Sequence, residues 1–403
     1  MSLLSVDAAF ALLMEGAAAI EGTESLALHD AHGRILAADL VALRTQPAFA
    51  ASAMDGYALR AADADATLVP LSVIGESAAG RAFNGSLGPG EAVRIFTGAP
   101  VPAGADAILI QENADRLSPD KVLPLEPAVT GRHIRKAGAD FSAGDVLLEG
   151  STRLTAGAVA LAASGGYPRV TVRRRPRVAI LATGDELVLP GESVGPSQIV
   201  ASNSYGVTAM VAATGAEALD YGIAHDDAEE IGGFLDRARA ENVDIFVTIG
   251  GASVGDHDLV GQVFASRGVA LDFWKVAMRP GKPLMAGRFG PMRLVGLPGN
   301  PASSMVAATL FLKPLVAALA GFPRIPIYRD AVLGADMPEN DLRADFIRAR
   351  LGHSHAVTPI VTPFGRQDSS LLSIYAHADV LLLREPFAPA AKAGDPCRYI
   401  VLD

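Results

Sequence analysis

Polar and glycine-rich residues follow three apolar segments in the second half of the chain, a placement typical of a ligand-binding sheet edge. The three breaks are Gly184-Asp185-Glu186, Gly250-Gly251-Ala252-Ser253 and Pro298-Gly299-Asn300-Pro301. Glycine lets backbone N–H groups approach an anion closely, and the N-terminus of a following helix adds a favourable dipole. Any one break alone indicates an ordinary strand-to-helix turn, but three at one edge predict a site for a phosphorylated ligand.

Carboxylates cluster near the same breaks, namely Asp185, Glu186, Asp226, Asp227, Asp256 and Asp258. For Asp226, Asp227 and Asp256 the simpler interpretation is helix capping, above all for Asp227. Capping explains one of the adjacent pair Asp185 and Glu186 but not both. A divalent cation held by carboxylates beside a phosphate would explain the rest, and Mg²⁺ is the natural candidate.

A short segment further along carries three cations, Lys275, Arg279 and Lys282. Pro280 and Pro283 hold this segment extended, so the cations do not form a helical stripe. Two interpretations stay open. The segment is either a solvated basic loop or a clamp for an anion at the neighbouring sheet edge.

The secondary-structure elements that must position these residues follow from the pattern of apolar, capping, glycine and proline residues along the chain. Residues 177–321 alternate between apolar strands and helices, which predicts a parallel sheet covered on both faces. Helices are expected to begin near Asn203, Asp227, Asp256 and Asn300, and the last one to bend at Pro314 and end at Gly321. Residues 1 to about 45 and 142–168 are predicted to be helical, whereas 47–140 and 326–403 are predicted to be rich in short strands.

Composition excludes several classes of protein. The 403 residues include 34 basic and 44 acidic side chains, a net charge of −10, which disfavours general binding to nucleic acid. The single cysteine, Cys397, excludes an internal disulfide and a CxxC metal site. The longest uncharged stretches, 193–216 and 294–312, contain proline and amides, so no membrane span is predicted. Asp7 and Glu15 do not fit a signal peptide, and a cytoplasmic protein is expected.

Motifs along almost the whole chain resemble the molybdopterin molybdenumtransferase family, which includes the MoeA proteins and the E domain of gephyrin. They are SAMDGYA at 52–58, RIFTGAPVPAGADAILIQE at 94–112, RKAGAD at 135–140, RRPRVAILATGDEL at 174–187, SVGDHD at 253–258, FWKVAMRPGKP at 273–283 and GLPGNPASS at 296–304. On the residues alone, the first two are only turns. Their order and combined length make a chance similarity untenable.

The resemblance implies a multidomain fold, α/β plus β. A helical dimerisation domain (1–46 and 141–176) is interrupted by a β-rich insert (47–140). A central doubly wound α/β domain of the molybdopterin-binding type (177–325) and a C-terminal β-barrel-like domain (326–403) follow. The family further implies a homodimer whose active site lies between the α/β domain of one subunit and the insert of the other. Molybdopterin adenylyltransferase and molybdoenzymes are implied as transient partners, with no nucleic acid and no membrane.

The implied reaction is insertion of molybdate into adenylylated molybdopterin with Mg²⁺, which forms molybdenum cofactor and releases AMP. By position, the resemblance implies as catalytic residues Asp55, Thr97, Glu186, Asp258, Lys275 and Arg279. It implies as substrate-binding residues Arg135, Asp140, Asp227, Gly250, Gly251, Ser253, Lys282, Pro298 and Pro301. Three carboxylates are the expected metal ligands, namely Asp55, Glu186 and Asp258.

Two positions depart from the family pattern. Ile249 stands where the family usually has serine, and Arg279 where it commonly has lysine. Arginine keeps the charge but changes the geometry. One alternative is a non-catalytic molybdopterin-binding or scaffold paralogue, which has no need for Glu186, Asp55 and Asp258 together. The other is an unrelated nucleotide enzyme, which predicts a GxGxxG fingerprint that the first α/β strand lacks.

Overall fold

The computed structural model describes residues 3–65, 68–251, 259–322, 328–353 and 358–402. Contacts divide the chain into two compact units. The α/β–barrel unit comprises Met1–Glu24 and Arg173–Asp403, and the insert unit comprises Ser25–Val172.

The N-terminal segment contains one helix, α1 (Val6–Met14), which Ser5 caps by accepting a hydrogen bond from the N–H of Ala8. Ala9 and Leu13 bury one face of α1 in the core of the α/β–barrel unit. The prediction of helix up to about residue 45 is wrong beyond Met14. Strand β1 (Thr23–Ala27) follows and pairs with a later strand, β12 (Arg169–Arg173). This tertiary pairing overrides the helix propensity of the local alanine-rich sequence.

The insert unit is built mainly from short strands. After β1 come β2 (Leu40–Val41), β3 (Ala51–Ser52), β4 (Gly56–Leu59), β5 (Leu71–Ser77), β6 (Glu91–Ile95), β7 (Ala107–Ile110), β8 (Ala114–Ser118), β9 (Lys121–Pro124), β10 (Ile134–Arg135), β11 (Val146–Leu148), helix α2 (Ala156–Ser164) and β12. One sheet has the order β7-β4-β6-β5-β9-β8, while β3 pairs with β10 and β2 with β11. The strand-rich prediction for 47–140 is confirmed. In the flanking stretches 25–46 and 141–172, α2 is the one α-helix and β11 precedes it, so the prediction of helix for 142–168 is wrong outside α2.

The α/β part alternates as expected. Its elements are β13 (Arg177–Thr183), β14 (Leu187–Val188), β15 (Ile199–Val200), α3 (Asn203–Ala213), β16 (Glu217–Ala224), α4 (Ala228–Ala240), β17 (Ile245–Ile249), α5 (Leu259–Ser266), β18 (Ala270–Lys275), β19 (Met278–Arg279), β20 (Pro283–Phe289), β21 (Met292–Leu297), α6 (Pro301–Ala307) and α7 (Lys313–Ala320). The sheet order is β16-β13-β17-β21-β20-β18. Strand β20 is antiparallel to both neighbours, so the prediction of a wholly parallel sheet is wrong there. The tight turn at Gly290-Pro291 permits only antiparallel pairing of β20 with β21.

Both faces of this sheet are covered, as predicted. Val178 and Ile180 of β13 lie in a core shared with α1, α3, α6 and α7, whereas Ala179 and Leu181 lie in a second core with α4 and α5. Because alternate side chains of a strand point to opposite faces, burial on both sides requires the continuous apolar run of β13.

The helix predicted to bend at Pro314 is irregular immediately before that residue. Five residues between α6 and α7, Ala308–Leu312, form a π-helical turn, and Gly321 ends α7 with φ 81°. Proline lacks the N–H that a regular helix needs at that position, and the wider turn accommodates it. The span Pro301–Ala320 is long and apolar enough to cross a membrane, but 83% of its most apolar window is buried inside the fold. This burial is typical of a core helix.

The C-terminal part forms a barrel. Its elements are β22 (Arg329–Leu333), β23 (Ala344–His353), β24 (Pro359–Pro363), α8 (Leu372–Ala376), β25 (Val380–Arg384) and β26 (Pro396–Val401). The strands follow one another in the order β23-β24-β22-β26-β25, and β25 pairs back with β23. This closure confirms the predicted barrel. The short strand β19 of the α/β part also joins β23 in parallel.

Candidate active site

The described residues of the three glycine-rich breaks, which for the second break are Gly250 and Gly251, lie side by side at the carboxyl edge of the α/β sheet. Strands β16, β13, β17 and β21 are parallel neighbours, so their carboxyl ends meet at this edge. The N–H of Gly184 donates to the carbonyl oxygen of Ala224 at 3.1 Å, and that of Gly250 to Leu297 at 3.1 Å. The structure therefore brings the three breaks together, as the sequence predicts.

The turn after β17 can be built only from glycine. Gly250 and Gly251 have φ of 102° and 63°, in the left-handed region that other residues rarely occupy. A Cβ on Gly250 would lie 2.4 Å from the carbonyl oxygen of Thr183, and one on Gly251 would lie 2.5 Å from a methyl of Val260. The Thr183 hydroxyl is buried beside this turn and has no hydrogen-bond partner among the residues that the structure describes. A phosphate oxygen at this edge would find the N–H of Gly251 and this unsatisfied hydroxyl close together, whereas the N–H of Gly250 is held by Leu297.

The adjacent carboxylates Asp185 and Glu186 have different surroundings. Asp185 Oδ1 accepts from the N–H of Asp226 at 3.1 Å and lies 3.2 Å from Nδ1 of His225, so it holds the turn after β16. The Glu186 side chain is exposed, and within the described ranges its carboxylate has no hydrogen bond or ion pair. Of this pair, Glu186 is the carboxylate available to a ligand.

Asp227 is the N-cap of α4. Its Oδ1 accepts from the N–H of Glu230 at 2.8 Å, and Glu230 in turn accepts from the N–H of His225 at 3.1 Å. The capping interpretation of Asp227 is confirmed. The expected contact of Asp227 with substrate stays a prediction. Capping uses only Oδ1, so the second carboxylate oxygen could still face a ligand at this exposed edge.

Asn203 ties the start of α3 to the turn after β21, a role that the sequence did not reveal. Ser202, rather than Asn203, is the N-cap of α3. The Asn203 amide nitrogen donates to the carbonyl oxygen of Gly299 at 2.7 Å, while its Oδ1 is buried and unpartnered within the described part of the chain. The only sequence signal for this residue was an asparagine at a helix start, which favours capping.

The turn at Pro298–Pro301 is held from the C-terminal part of the chain. Pro301 occupies the first turn of α6, and the Asn300 side chain donates to Ser369 Oγ at 3.2 Å. The N–H of Ala302 donates to the carbonyl oxygen of Ser369 at 2.9 Å. From strand β23, the fully buried Arg348 donates to the carbonyl oxygen of Asp368, next to Ser369, at 2.9 Å, and burial lowers the pKa of its guanidinium. No local pattern indicated that this loop supports the sheet edge.

The structure separates the three cations of residues 275–282, here called the cationic segment. Lys275 ends β18, Lys282 precedes β20, and the N–H of Val276 donates to the carbonyl oxygen of Lys282 at 3.1 Å. Since β18 runs parallel to β21, both lysines lie at the carboxyl edge. Neither ammonium group has an ion-pair partner in the stretches that the structure covers. Arg279 differs, because it binds Asp345 of the barrel through two hydrogen bonds.

In the insert unit, the two motifs that resembled simple turns form one polar cluster. Asp55 Oδ1 accepts from both the N–H and the hydroxyl of Thr97, at 2.7 and 2.8 Å. The backbone hydrogen bond from Thr97, followed by its hydroxyl, lowers the pKa of Asp55. Arg94 stacks between the rings of Tyr57 and Phe96, 5.0 Å from each centroid. Residues 42 positions apart thus build a fixed, ionised carboxylate.

The remaining predicted site residues have fewer contacts. Arg135 is exposed on β10 opposite Ala51, and Asp140 is exposed with its N–H donating to the carbonyl oxygen of Gln46 at 3.0 Å. Ser253 and Asp258 lie outside the described residues. Of the three expected metal ligands, Asp55 belongs to the insert unit and Glu186 to the α/β–barrel unit. Among the described residues, no three histidine, cysteine or acidic side chains cluster as a metal site.

Family comparisons account for nearly the whole chain. Residues 4–166 match the MoeA N-terminal region (domain I and II), 179–318 a probable molybdopterin binding domain, and 330–402 the MoeA C-terminal region (domain IV). The molybdopterin molybdenumtransferase of Bacillus subtilis is 37% identical, over 90% of this chain and 85% of that protein. The chain belongs to the molybdopterin molybdenumtransferase family.

Other members of the molybdopterin molybdenumtransferase family support the assignment. The enzyme of that name from Nostoc sp. is 41% identical over 75% of this chain and 71% of that protein. The crystal structure of the molybdopterin biosynthesis MoeA protein from Pyrococcus horikoshii OT3 aligns with a TM-score of 0.83 and 28% identity, over 99% of this chain and 100% of that one. The fold class predicted from sequence is therefore confirmed, and the family identifies the protein as a transferase of molybdenum cofactor biosynthesis.

The two departures from the family pattern have different structural consequences. The side chain of Ile249 is 3% exposed and packs in the core beneath the sheet edge, so it leaves the backbone of the glycine turn unobstructed. Arg279 changes the partners of the cationic segment, because its guanidinium binds carboxylates of the barrel.

Proposed function

We propose that this molybdopterin molybdenumtransferase inserts molybdate into adenylylated molybdopterin in the cytoplasm, with Mg²⁺, and releases AMP. The observation that carries the proposal is the composition of the carboxyl sheet edge. A glycine turn suited to phosphate lies on the same edge as two lysines that have no carboxylate partner among the described residues. The Glu186 carboxylate, likewise unpartnered among the described residues, lies on the neighbouring turn. Anion sites and a cation ligand are the groups that this pair of substrates requires.

The positive groups divide between the two anions of the reaction. The turn at Gly250–Gly251 offers the N–H of Gly251 to the terminal phosphate of the pterin, with Pro298 and Pro301 shaping the adjacent turn. Lys275 and Lys282 supply the charge that holds molybdate beside it. Arg135 and Asp140 of the insert are proposed to bind the remaining polar groups of the substrate.

The carboxylates of this chain can supply some of the ligands of a magnesium ion. Magnesium is usually held by one or two carboxylates together with substrate phosphates and water. Glu186 has a carboxylate that makes no hydrogen bond or ion pair with the other described residues, Asp55 is kept ionised by Thr97, and Asp258 is the third proposed ligand. When bound, the ion would neutralise charge on the phosphoanhydride of the substrate.

The chemistry consists of ligand exchange and one hydrolysis. Two dithiolene sulfurs of the pterin bond to molybdenum, and one molybdate oxygen leaves as water with the two thiol protons. Hydrolysis of the phosphoanhydride then frees AMP and leaves the pterin phosphate. The protein contributes position and charge, because the lysines hold molybdate close to the sulfurs and the glycine turn fixes the phosphate.

We further propose that the protein acts as a homodimer in which the Asp55–Thr97 cluster of one subunit completes the sheet edge of the other. Transient partners would be the molybdopterin adenylyltransferase that supplies the substrate and the molybdoenzymes that accept the product. The net charge of −10 disfavours nucleic acid as a partner, and none of these functions calls for a membrane.

The test is assembly of molybdenum cofactor in vitro from adenylylated molybdopterin and molybdate, followed by AMP release. Glu186→Ala should abolish release. The matched control is Glu217→Ala, which removes an exposed carboxylate at the amino end of β16, on the opposite edge. A folded wild-type protein that binds the substrate but releases no AMP would indicate the non-catalytic scaffold instead.

The shared site has its own test. Asp55→Ala and Glu186→Ala proteins, each inactive alone, are mixed under conditions that allow subunit exchange. Half of the dimers are then mixed, and each holds one intact site, so about a quarter of wild-type activity should return. If each site lay within a single subunit, no mixture would recover activity.

A further inference from the structure

The guanidinium of Arg279 is almost saturated by acceptors of the C-terminal barrel. Its Nε donates to Asp345 Oδ1 at 2.7 Å, and one Nη donates to the other oxygen of Asp345. The remaining Nη contacts Asp341 Oδ2 at 3.2 Å, and Asn340 Oδ1 lies 3.3 Å from the Asp345-bound Nη. Four hydrogen bonds therefore use most of the five N–H donors that an arginine carries.

The charges around Arg279 also disfavour binding of an incoming anion. Two arginines, Arg279 and Arg343, lie against the carboxylates of Asp341 and Asp345, so the charges of the cluster are already balanced within the protein. The Asp345 residue is 8% exposed, and a buried carboxylate requires a permanent counter-charge. An incoming molybdate or phosphate would have to displace these carboxylates from Arg279, at an electrostatic cost that Lys275 and Lys282 do not impose.

Backbone hydrogen bonds show that the Arg279–Asp345 ion pair lies where the cationic segment is attached to the rest of the fold. Met278 and Arg279 pair in parallel with Ala344 and Asp345 of the barrel strand β23. On the other side, the N–H of Ala277 donates to the carbonyl oxygen of Leu4 at 2.7 Å. The cationic segment is therefore fixed at its centre, with one lysine on each side of the fixed point.

We propose that Arg279 is a positioning residue, which ties the cationic segment to the barrel through Asp345 and does not itself bind an anion. Lys275 and Lys282 are then the anion ligands of this segment. This assignment of the lysines rests on the proposed function, whereas the tie does not. Arginine suits the tie because its planar fork matches both oxygens of a carboxylate, which a lysine ammonium cannot do.

A double-mutant cycle tests the proposal, with Arg279→Ala, Asp345→Ala and the combined variant. Thermal unfolding without substrate should show non-additive losses, because either single change breaks the same pair. In AMP release, both single variants and the double variant should raise the KM for molybdate by a similar factor, of about tenfold, through displaced lysines. Arg343→Ala is the matched control, since it removes a second arginine from Asp341 and leaves the Arg279–Asp345 pair intact.

Two results would overturn the assignment. One is a large rise in the KM for molybdate in Arg279→Ala with no change in Asp345→Ala, which would make Arg279 an anion ligand. The other is additive unfolding losses, which would show that the two residues do not act as a pair. If the wild-type protein released no AMP, the proposed function would fail while the unfolding cycle still tested the tie.

Discussion

The Asp55–Thr97 pair shows how a single residue prepares a carboxylate for chemistry. Two hydrogen bonds from Thr97 stabilise the ionised form, so the pKa of Asp55 lies below its ordinary value. Because the folded pKa is lower than the unfolded one, ionisation of Asp55 stabilises the fold above the unfolded pKa. This contribution is lost as pH falls through the folded pKa.

Thr97→Val should raise the pKa of Asp55 towards its ordinary value, because the hydroxyl donor is lost while the backbone N–H remains. The acid-sensitive contribution of Asp55 to stability should shrink accordingly. Carbon-detected NMR titration of the carboxylates measures the shift. Asp120, whose pKa is lowered mainly by the hydroxyl of Ser118, is the internal control and should not move. An unchanged Asp55 midpoint would show that the hydroxyl plays no part.

Residues that act through distant partners were the ones that sequence reasoning missed. Glu186 and the glycines of the sheet edge were predictable, because their position after apolar strands carries a local signal. Arg348 and Ser369 support the same edge from the barrel, and Asn203 does so through an amide contact with Gly299. Nothing within a few residues of these positions marks them, since their roles depend on contacts across the fold.

Among the elements, helix α4 offers a test that separates capping from substrate binding at Asp227. Asp227→Ala removes the cap and should cost about 1 kcal/mol in the free energy of unfolding, whereas Asp227→Ser should retain most of it. Urea unfolding measures both. If Asp227 also binds substrate, Asp227→Ser keeps its stability but loses AMP release. Full activity in the serine variant would leave capping as the only role.

Elements defined by strong local patterns were predicted well, and those defined by pairing were not. The continuous apolar run of β13 and the capped start of α4 came from local residue types. Strand β20 was not predicted, because its antiparallel pairing depends on the turn at Gly290-Pro291. Strand β1 was predicted as helix, because its partner β12 lies about 145 residues later and leaves no trace in the local sequence.

For the molecule as a whole, the closed barrel protects the single cysteine, Cys397. It lies on β26, paired with Ala331 of β22, and burial raises the pKa of its thiol to about 11. Labelling by a thiol-specific reagent near pH 8 should therefore be about a hundredfold slower in the native protein than after unfolding. The rate in increasing denaturant would report barrel opening. Native labelling as fast as that of a free thiol would contradict the burial, and Cys397→Ser should give no signal.

The position of α1 has a consequence for synthesis on the ribosome. Phe10 packs against Phe311, and Glu15 accepts through its carbonyl oxygen from Arg293, so the partners of this first helix are encoded some 300 residues later. At about 5–20 residues per second, roughly 15–60 s pass between the appearance of α1 and that of its partners. The insert unit, Ser25–Val172, can fold during that interval, while the apolar residues of α1 still lack the partners that bury them. A helix of nine residues is marginal in water on its own, so nascent chains of this protein are expected to carry an uncovered apolar segment until the residues around Phe311 have emerged.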